Sequence, residues 1–457
     1  MAVGTIDRAV LGAIADAIRA QAGTAGRLLP GEMAAAVAAL DGSREGEAAS
    51  YPAGEGRGLV SDTVFAAIAD AIRVQNGLTE KYTPSEMAGA ILALEWDMGL
   101  KPRAVLLEGW VLELNYLDRR RGSGGERVLM SWDVPAAGVS SAGQLPWADD
   151  RAKFAYVRVD ASFRESGVAS AAYWFLGCVN LLEVSGFENL AGVTDFTQAF
   201  TSCAKLHTIW CSGGFDAPTV TGALALSGCN RLVGSEGFVP EPATGADALK
   251  LGAGGVLTDP ADDRRGALWG TLFRDGTVEV GVAAPTLDGS RSIREQGRLY
   301  ARAEYRAVGC TPWAGANKDV VRVTLNGDLA EVEGINLNYW FYGCSAMTGV
   351  AGMGSLRGLS KMRHAFNGCA ALGSLDLRGV DPSALTDLFY AFAGCSALKT
   401  ITADASWELP EGATGMQAFY QCTSLVGGNG TAFDAKSAGA GMMRIDKEGQ
   451  AGYLTAG

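Results

Sequence analysis

The residues best suited to chemistry in this sequence are cysteines, because a thiol can act as a nucleophile, form a disulfide or bind a metal. The chain has nine. Seven share one place in a recurring pattern, and in six of these an aromatic residue stands three positions earlier. The seven are Cys178, Cys203, Cys229, Cys344, Cys369, Cys395 and Cys422. They recur every 25 to 27 residues within each series, which predicts a solenoid with one structural unit per repeat.

The same spacing argues against chemistry at the sulfurs. No Cys-x-x-Cys pair is present and the chain has only two histidines, so the pattern is not that of a zinc site. In a reducing compartment the simplest interpretation is a row of small buried residues rather than disulfides. We therefore expect the cysteines to be structural.

Other catalytic sets are missing from the sequence. The two histidines, His207 and His364, fall inside repeats, and no Gly-x-Ser-x-Gly or Walker loop occurs. The acidic pairs Asp149-Asp150 and Asp262-Asp263 are interpreted as solvated loops, because no partner can be placed for hydrolysis. We predict a protein that is not an enzyme and has no cofactor or metal.

Composition narrows the class further. The net charge is −12, with 38 Lys and Arg scattered among 50 Asp and Glu, which excludes the basic surface of a nucleic-acid binder. No apolar stretch is long enough to insert in a membrane, and the N-terminus has no secretion signal. We expect a globular protein made in the cytoplasm.

The elements that would position the repeats form two duplications. In the first, Ala13–Arg19 recurs as Ala67–Arg73, at an offset of 54 residues. Each copy alternates apolar and polar residues at helical spacing, which predicts helical hairpins over residues 1–42 and 59–98. Residues 43–58 are predicted to be a flexible linker.

In the second duplication, residues 104–257 and 258–457 form two modules at an offset of 166 residues. Each begins with a small β-rich segment before its first cysteine repeat, which we name the β-cap. In the second β-cap, residues 268–280 predict a β-hairpin around Asp-Gly. Within a repeat, Thr386 or Asp387 is expected to cap a short helix that ends at Gly394, followed by a strand. The predicted fold class is α/β, with N-terminal helical hairpins followed by two tandem solenoid modules.

Two resemblances accompany these motifs. The pattern Ala-Phe-x-Gly-Cys-Ser-x-Leu-x-x-Ile, with Trp-Gly-Thr-Leu-Phe-Arg-Asp-Gly-Thr in the β-cap, is similar to BspA-type leucine-rich repeats of bacterial surface proteins over residues 104–457. The doubled Ala-Ile-Ala-Asp-Ala-Ile-Arg and Pro-x-Glu-Met motif resembles a segment of bacteriophage tail-associated proteins. The first resemblance implies binding at cell surfaces, and the second implies a place in a virion. The BspA-type family carries a secretion signal and a wall anchor; none is recognisable in this chain, which favours the virion.

Outward positions on the strands after the cysteines are the predicted partner-binding surface. Trp210 stands out there, because an exposed aromatic side chain can stack on a sugar or anchor a protein; covering the neighbouring repeat is the alternative. The predicted surface comprises His207, Thr208, Trp210, Ser374, Asp376, Arg378, Lys399, Thr400 and Thr402.

Together these observations predict a structural protein of a phage tail tip, baseplate or fibre, assembled in the host cytoplasm. Residues 1–98 would bind other tail proteins, and the repeat modules would bind a host cell-surface protein or glycan. The alternative is a bacterial cell-surface adhesin of the BspA type; a wall hydrolase is disfavoured by the lack of catalytic residues. The sequence leaves the oligomeric state open, a homo-oligomer included.

Overall fold

The computed structural model describes residues 101–116, 126–213, 215, 220–287, 289 and 291–457. The helical hairpins predicted for residues 1–42 and 59–98, and the linker predicted for residues 43–58, lie outside these residues.

Strands carry most of the regular structure in the described part of the chain. They are β1 (Arg103–Leu107), β2 (Val111–Asn115), β3 (Val128–Asp133), β4 (Tyr156–Val159), β5 (Glu183–Ser185), β6 (Thr208–Trp210), β7 (Leu257–Thr258), β8 (Ala267–Phe273), β9 (Thr277–Gly281), β10 (Ile293–Tyr300), β11 (Arg322–Leu325), β12 (Gly349–Ala351), β13 (Ser374–Asp376), β14 (Thr400–Ala403) and β15 (Leu454–Ala456).

The strands form three sheets with a common plan. In the first, β3-β1-β2-β4-β5-β6-β7, the pairs β1/β2 and β1/β3 are antiparallel and every later pair is parallel. The second, β10-β8-β9-β11-β12, repeats this arrangement, and the third, β13-β14-β15, is parallel throughout. Each antiparallel β-cap thus leads into parallel strands contributed by successive repeats. The hairpin predicted for residues 268–280 is confirmed as β8 and β9.

The α/β fold class is wrong for the described residues. Their helices are 3-10 helices of three to six residues, and none is an α-helix. They span Ala142–Gln144, Ala148–Lys153, Ala161–Glu165, Phe187–Leu190, Ala246–Ala248, Pro260–Asp262, Ala314–Asp319, Gly327–Glu331, Met353–Ser355, Ala435–Ser437 and Ala440–Met442. Where the sequence predicts a helix in each repeat, the chain forms a run of turns instead.

Hydrogen bonding between repeats explains this difference. The backbone N–H groups of Tyr390 and Phe392 donate to the carbonyl oxygens of Met416 and Ala418 in the next repeat, at 3.2 and 2.7 Å. The N–H of Ala393, which follows Phe392, donates to Tyr390 within its own turn, at 3.2 Å. An α-helix requires every interior N–H to donate to the residue four positions earlier. Here every second backbone N–H group donates to the neighbouring repeat, so the segment cannot form an α-helix.

Left-handed backbone angles accompany this turn. Tyr390 has φ of +53° and Gly394 has φ of +76°, and the equivalent residues His364 and Gly368 have +52° and +78°. Glycine adopts such angles without cost, whereas a side chain makes them unfavourable by roughly 1–2 kcal/mol. Residues such as Tyr390 are held there by the backbone ladder on both sides.

The described residues form two hydrophobic cores, one within residues 104–257 and one mainly within residues 268–454. In the second core the repeated phenylalanines stack along the repeat direction, with ring centroids 5.4 to 5.5 Å apart from Phe341 to Phe419. The cysteines of the pattern are all buried beside them. The predicted row of buried cysteines is therefore confirmed.

The β-caps are anchored by tryptophans at matching positions. Trp147 and Trp313 are completely buried, and their indole N–H groups donate to the carbonyl oxygens of Trp174 and Trp340, each at 2.9 Å. The two contacts are related by the 166-residue offset, so the modules share this connection between β-cap and first repeat.

The C-terminal segment closes the last repeat. The N–H of Phe419 donates to Ala438, and β15 pairs with β14. Asp446 is buried and accepts hydrogen bonds from the N–H groups of Asn429 and Thr431, at 2.8 and 2.9 Å. Backbone donors at the end of the stack are thereby satisfied within the protein.

Candidate functional site

The predicted surface residues of the first module lie mostly inside the molecule. His207 and Thr208 are buried, and Trp210 is half-buried, with its indole N–H donating to Glu183 at 3.2 Å. His207 and Thr208 therefore offer no surface to a partner. Thr208 begins β6, and its hydroxyl contacts Tyr300 and Arg265 of the second module, which the sequence alone does not place there.

Arg265 from the second module forms the centre of this junction. Its guanidinium donates to the Thr208 hydroxyl and to the Val233 carbonyl oxygen, each at 3.0 Å, and lies 4.1 Å from the ring centroid of Tyr300. It also forms two parallel hydrogen bonds with Asp263, both at 2.8 Å. Only 1% of Arg265 is exposed, so a guanidinium fully removed from water joins the two modules.

The junction also fixes the charge of His207. Its Nδ1 lies 3.0 Å from the Thr208 hydroxyl and 3.3 Å from the Tyr300 hydroxyl. Burial, together with the positive charges of Arg265, Arg298 and Arg231, lowers the pKa of His207 to about 3. The imidazole is therefore neutral at physiological pH and serves as a structural hydrogen-bonding group.

In the second module the predicted residues remain at the surface. Ser374 lies opposite Thr400, and Asp376 lies opposite Thr402, on the outer face of β13 and β14. Thr402 is half-buried, whereas Ser374, Asp376, Arg378, Lys399 and Thr400 are exposed. Asp376 and Arg378 form an ion pair at 2.6 Å, and the hydrogen bond from Arg378 lowers the pKa of Asp376. The structure thus brings these six residues together and separates them from the buried His207 and Thr208.

The cysteines are placed for packing. The thiols of the later cysteines in each series donate to a phenylalanine carbonyl oxygen of the preceding repeat, at 3.0 to 3.1 Å. Burial raises the pKa of Cys344 to about 12, and burial raises that of Cys178 to about 12 despite the nearby charge of Arg151. A thiol that stays protonated at neutral pH is a poor nucleophile.

A second surface, formed by the turns, carries a row of aromatic side chains in the second module. We call it the aromatic row and define it as Tyr339, Tyr342, His364, Phe389, Tyr390 and Tyr420. All six are half-buried or exposed, unlike the phenylalanines of the core. The partner-binding surface predicted from the sequence does not include them.

Stacking organises the aromatic row along the repeat direction. The ring centroids of Tyr339 and His364 are 4.8 Å apart, and those of His364 and Tyr390 are 5.3 Å apart with planes within 5°. These three residues stand five positions before successive cysteines, so the cysteine period itself is the sequence signal that could have revealed them. In a stack of this kind each ring covers the faces of its neighbours.

Two tyrosines are oriented differently. The ring of Tyr420 is inclined by 74° to that of Tyr390, and the ring of Tyr342 by 62° to that of His364. Tyr420 is 41% exposed. Asn367 and Ala393 occupy the same repeat position between these two tyrosines. Backbone N–H groups of successive repeats donate to Asn367, Ala393 and Tyr420 at 2.7 Å each, which fixes this alignment.

Charged residues beside the aromatic row are paired with one another. Arg363 donates to Asp387 at 2.9 Å and its guanidinium lies 4.5 Å from the Phe389 ring centroid. Lys361 forms an ion pair with Glu304. The residues beside the aromatic row are consequently polar, and the charges of Arg363 and Lys361 are neutralised by their acidic partners.

The first module differs at the equivalent positions. At the 166-residue offset, His364 and Tyr390 correspond to Gln198 and Leu224, and Tyr342 corresponds to Leu176. Gln198 and Leu224 share the left-handed backbone of their counterparts, with φ of +51° and +55°. The backbone of the turn is therefore common to both modules. Of the aromatic row, the first module keeps the counterpart of Tyr339, which is Tyr173, and lacks the others.

The described residues contain no group of three or more His, Cys, Asp or Glu side chains that could hold a metal ion. Among the same residues, no helix has the length and apolar character that crossing a membrane requires.

Comparisons with known proteins complete the description of the site. The chain matches no protein-family model. No curated protein matches it either. Among solved structures it is similar to a leucine-rich repeat protein from Eubacterium ventriosum, at 12% sequence identity and a TM-score of 0.21. The similarity covers 71% of this chain and 94% of that protein.

Proposed function

We propose that this chain is a recognition protein without enzymatic activity, and that the turn surface of its second module binds a component of a cell surface. The aromatic row carries this proposal. Tyrosine is enriched where proteins bind partners, because it offers a large rigid contact area together with a hydroxyl group. Tyr390 is half-buried and Tyr420 is exposed, so part of each ring lies at the surface of the turns.

Divergence between the modules supports the proposal. Both copies keep buried tryptophans in the β-cap and buried cysteines in the repeats. On the turn surface, by contrast, Gln198 and Leu224 in one copy stand where His364 and Tyr390 stand in the other. Core packing alone does not require an aromatic residue at the positions of His364 and Tyr390, because the first module forms the same turn with Gln198 and Leu224 there.

The proposed location is a bacteriophage tail, at the tip, the baseplate or a fibre, with assembly in the host cytoplasm. The doubled motif in residues 1–98 supports this location through its resemblance to tail-associated proteins, and those residues would bind other tail proteins. Several copies on one virion would make weak individual contacts effective through multivalency. The BspA-type resemblance of residues 104–457 supports the alternative, a bacterial surface adhesin.

Binding of the labelled full chain to candidate host cells tests the recognition role. The double variant His364→Gln/Tyr390→Leu copies the first module's residues onto the second, and we expect it to bind cells at least about 10-fold more weakly. The control variant Gln198→His/Leu224→Tyr makes the reverse change and should bind like the unmodified chain. Equal binding by all three proteins would contradict the assignment of the surface.

Antibodies against the chain test the location. Labelling of purified virions by electron microscopy supports a tail protein, whereas labelling of bacteria that carry no phage supports the adhesin.

A further inference from the structure

We infer that the ligand of the aromatic row is an uncharged oligosaccharide, which lies along the turn surface between Tyr342 and Tyr420. This inference rests on the proposed function and names the chemical class of ligand and the residues that contact it. It follows from the orientation of the rings, the unused hydrogen-bonding groups and the compensated charge of this surface.

Ring orientation identifies which aromatic side chains are available to a ligand. Tyr339, His364 and Tyr390 cover one another, so a ligand meets mainly their edges. Tyr420 contacts one other ring within the described residues, and that ring is nearly perpendicular to it. Tyr420 is also 41% exposed. Its ring can therefore pack against the C–H side of a pyranose ring, which is apolar, flat and similar in size.

The space between the two tyrosines suits a short chain of sugars. Tyr342 and Tyr420 are separated by three repeats, or about 14 Å at the usual spacing of neighbouring strands. Of the two positions between them, Asn367 is half-buried and Ala393 is buried. A ligand that bridges the two tyrosines therefore meets the Asn367 side chain and the edges of His364 and Tyr390.

Hydrogen-bonding groups along this stretch match the hydroxyl groups of a sugar. The phenolic hydroxyls of Tyr342, Tyr390 and Tyr420 make no hydrogen bond within the described residues. The Asn367 side-chain nitrogen lies 2.9 Å from Nδ1 of His364, which leaves its amide oxygen as an acceptor. Hydroxyl and amide groups both donate and accept, as sugar hydroxyls do.

Charge distinguishes this ligand from others that bind aromatic surfaces. An acidic peptide, a nucleic acid or a charged lipid headgroup would need an uncompensated cationic side chain at the surface. The nearby cations Arg363 and Lys361 are already paired with Asp387 and Glu304. An uncharged oligosaccharide requires no free cationic side chain. It is therefore the ligand class that is compatible with these ion pairs.

The test measures binding of the full chain to an array of short neutral oligosaccharides of glucose, galactose, mannose and N-acetylglucosamine, followed by calorimetry with the strongest binder. We expect Tyr342→Ala and Tyr420→Ala each to weaken binding by about 10-fold or more. Tyr420→Phe keeps the ring and removes only the hydroxyl group, so its affinity for the oligosaccharide should fall by less than about 10-fold. Leu176→Ala is the matched control in the first module and should leave binding unchanged. Thermal unfolding of each variant shows that the fold is retained.

The outcomes separate this inference from the proposed function. If the chain binds host cells but none of the neutral oligosaccharides, or if oligosaccharide binding survives both alanine substitutions, the inference is overturned while the recognition role stands. Cell binding that is destroyed by protease treatment of the cells and unaffected by periodate oxidation of their glycans identifies a protein receptor and also overturns it. If the chain binds no cells, the proposed function fails independently of the array.

Discussion

The thiol of Cys395 donates a hydrogen bond to the backbone carbonyl oxygen of Phe366, 3.1 Å away in the preceding repeat. Cys344 is just as deeply buried, but it begins its series and makes no such bond within the described residues. These two cysteines are therefore equally buried but differ in this hydrogen bond. The pair allows the contribution of the thiol bond to be measured separately from that of burial.

Replacing Cys395 by alanine should destabilise the protein more than replacing Cys344. Both changes remove a buried sulfur, and Cys395→Ala also removes the hydrogen bond between repeats, whose net contribution is about 1 kcal/mol. Urea unfolding followed by circular dichroism would give the two free energies of unfolding. Equal losses for the two variants would mean that the thiol bond adds nothing to stability.

All nine thiols should be unreactive in the folded protein. Burial keeps the pKa of Cys344 at about 12, so almost no thiolate exists at pH 8, and a thiol reagent has no access to the sulfur. A chromogenic disulfide reagent should therefore react only as the chain unfolds in denaturant. Rapid reaction of even one thiol in the native protein would show that a repeat opens locally.

Arg264 and Arg265 offer a contrast between an exposed and a buried ion pair. Arg265→Met leaves Asp263 without its partner and removes hydrogen bonds to Thr208 and Val233, which should cost about 3 kcal/mol. Arg264→Met breaks an exposed pair with Asp262, which water screens, and should leave the free energy of unfolding almost unchanged. Differential scanning calorimetry should also show the two modules unfolding separately in Arg265→Met only. A single transition in both variants would mean that Arg265 does not couple the modules.

Acidification should weaken the fold through His207. Its folded-state pKa of about 3 lies below the unfolded value near 6.5, so the unfolded chain takes up a proton first as the pH falls. Stability from this residue is complete above about pH 6.5, and about 1 kcal/mol of it should be lost by pH 5.5. Urea midpoints for His207→Gln should vary less between pH 8 and 5.5 than those of the unmodified chain.

His364 provides the comparison for that experiment. Partial burial and the charge of Arg363 lower its pKa in the same direction. Measuring the urea midpoints of His364→Gln over the same pH range therefore separates the contributions of the two histidines to the pH dependence of stability. If His207→Gln keeps the full pH dependence, the effect does not come from the module junction.

The sequence predicts those parts of the fold that depend on local or periodic patterns. The Asp275-Gly276 turn predicts the β8–β9 hairpin, and the cysteine period predicts stacked repeats with Phe392 inside. The predicted helix after Asp387 fails for a physical reason. Leu388 and Phe392 are four residues apart, and both a helix and this turn bury residues at that spacing. Hydrogen bonds to the next repeat decide between them, and these are non-local.

The candidate site is less predictable. The sequence predicts Trp210 and Thr208 at the surface, but Arg265, from a different module, contacts both. A contact between residues so far apart in the chain leaves no local pattern. The stack of His364 and Tyr390 is visible in the period, yet its ring orientation and exposure depend on the left-handed turn backbone.

The alternation of hydrogen bonds in the turns has a consequence for how this chain can change in length. Each repeat presents the same row of donors on one side and acceptors on the other, as the bonds from Phe366 to Ala391 and from Phe392 to Ala418 illustrate. A whole repeat can therefore be gained or lost between two others without altering the β-cap or the C-terminal segment. The second module has one cysteine repeat more than the first, and a unit of 25 to 27 residues is the step by which such a protein can grow.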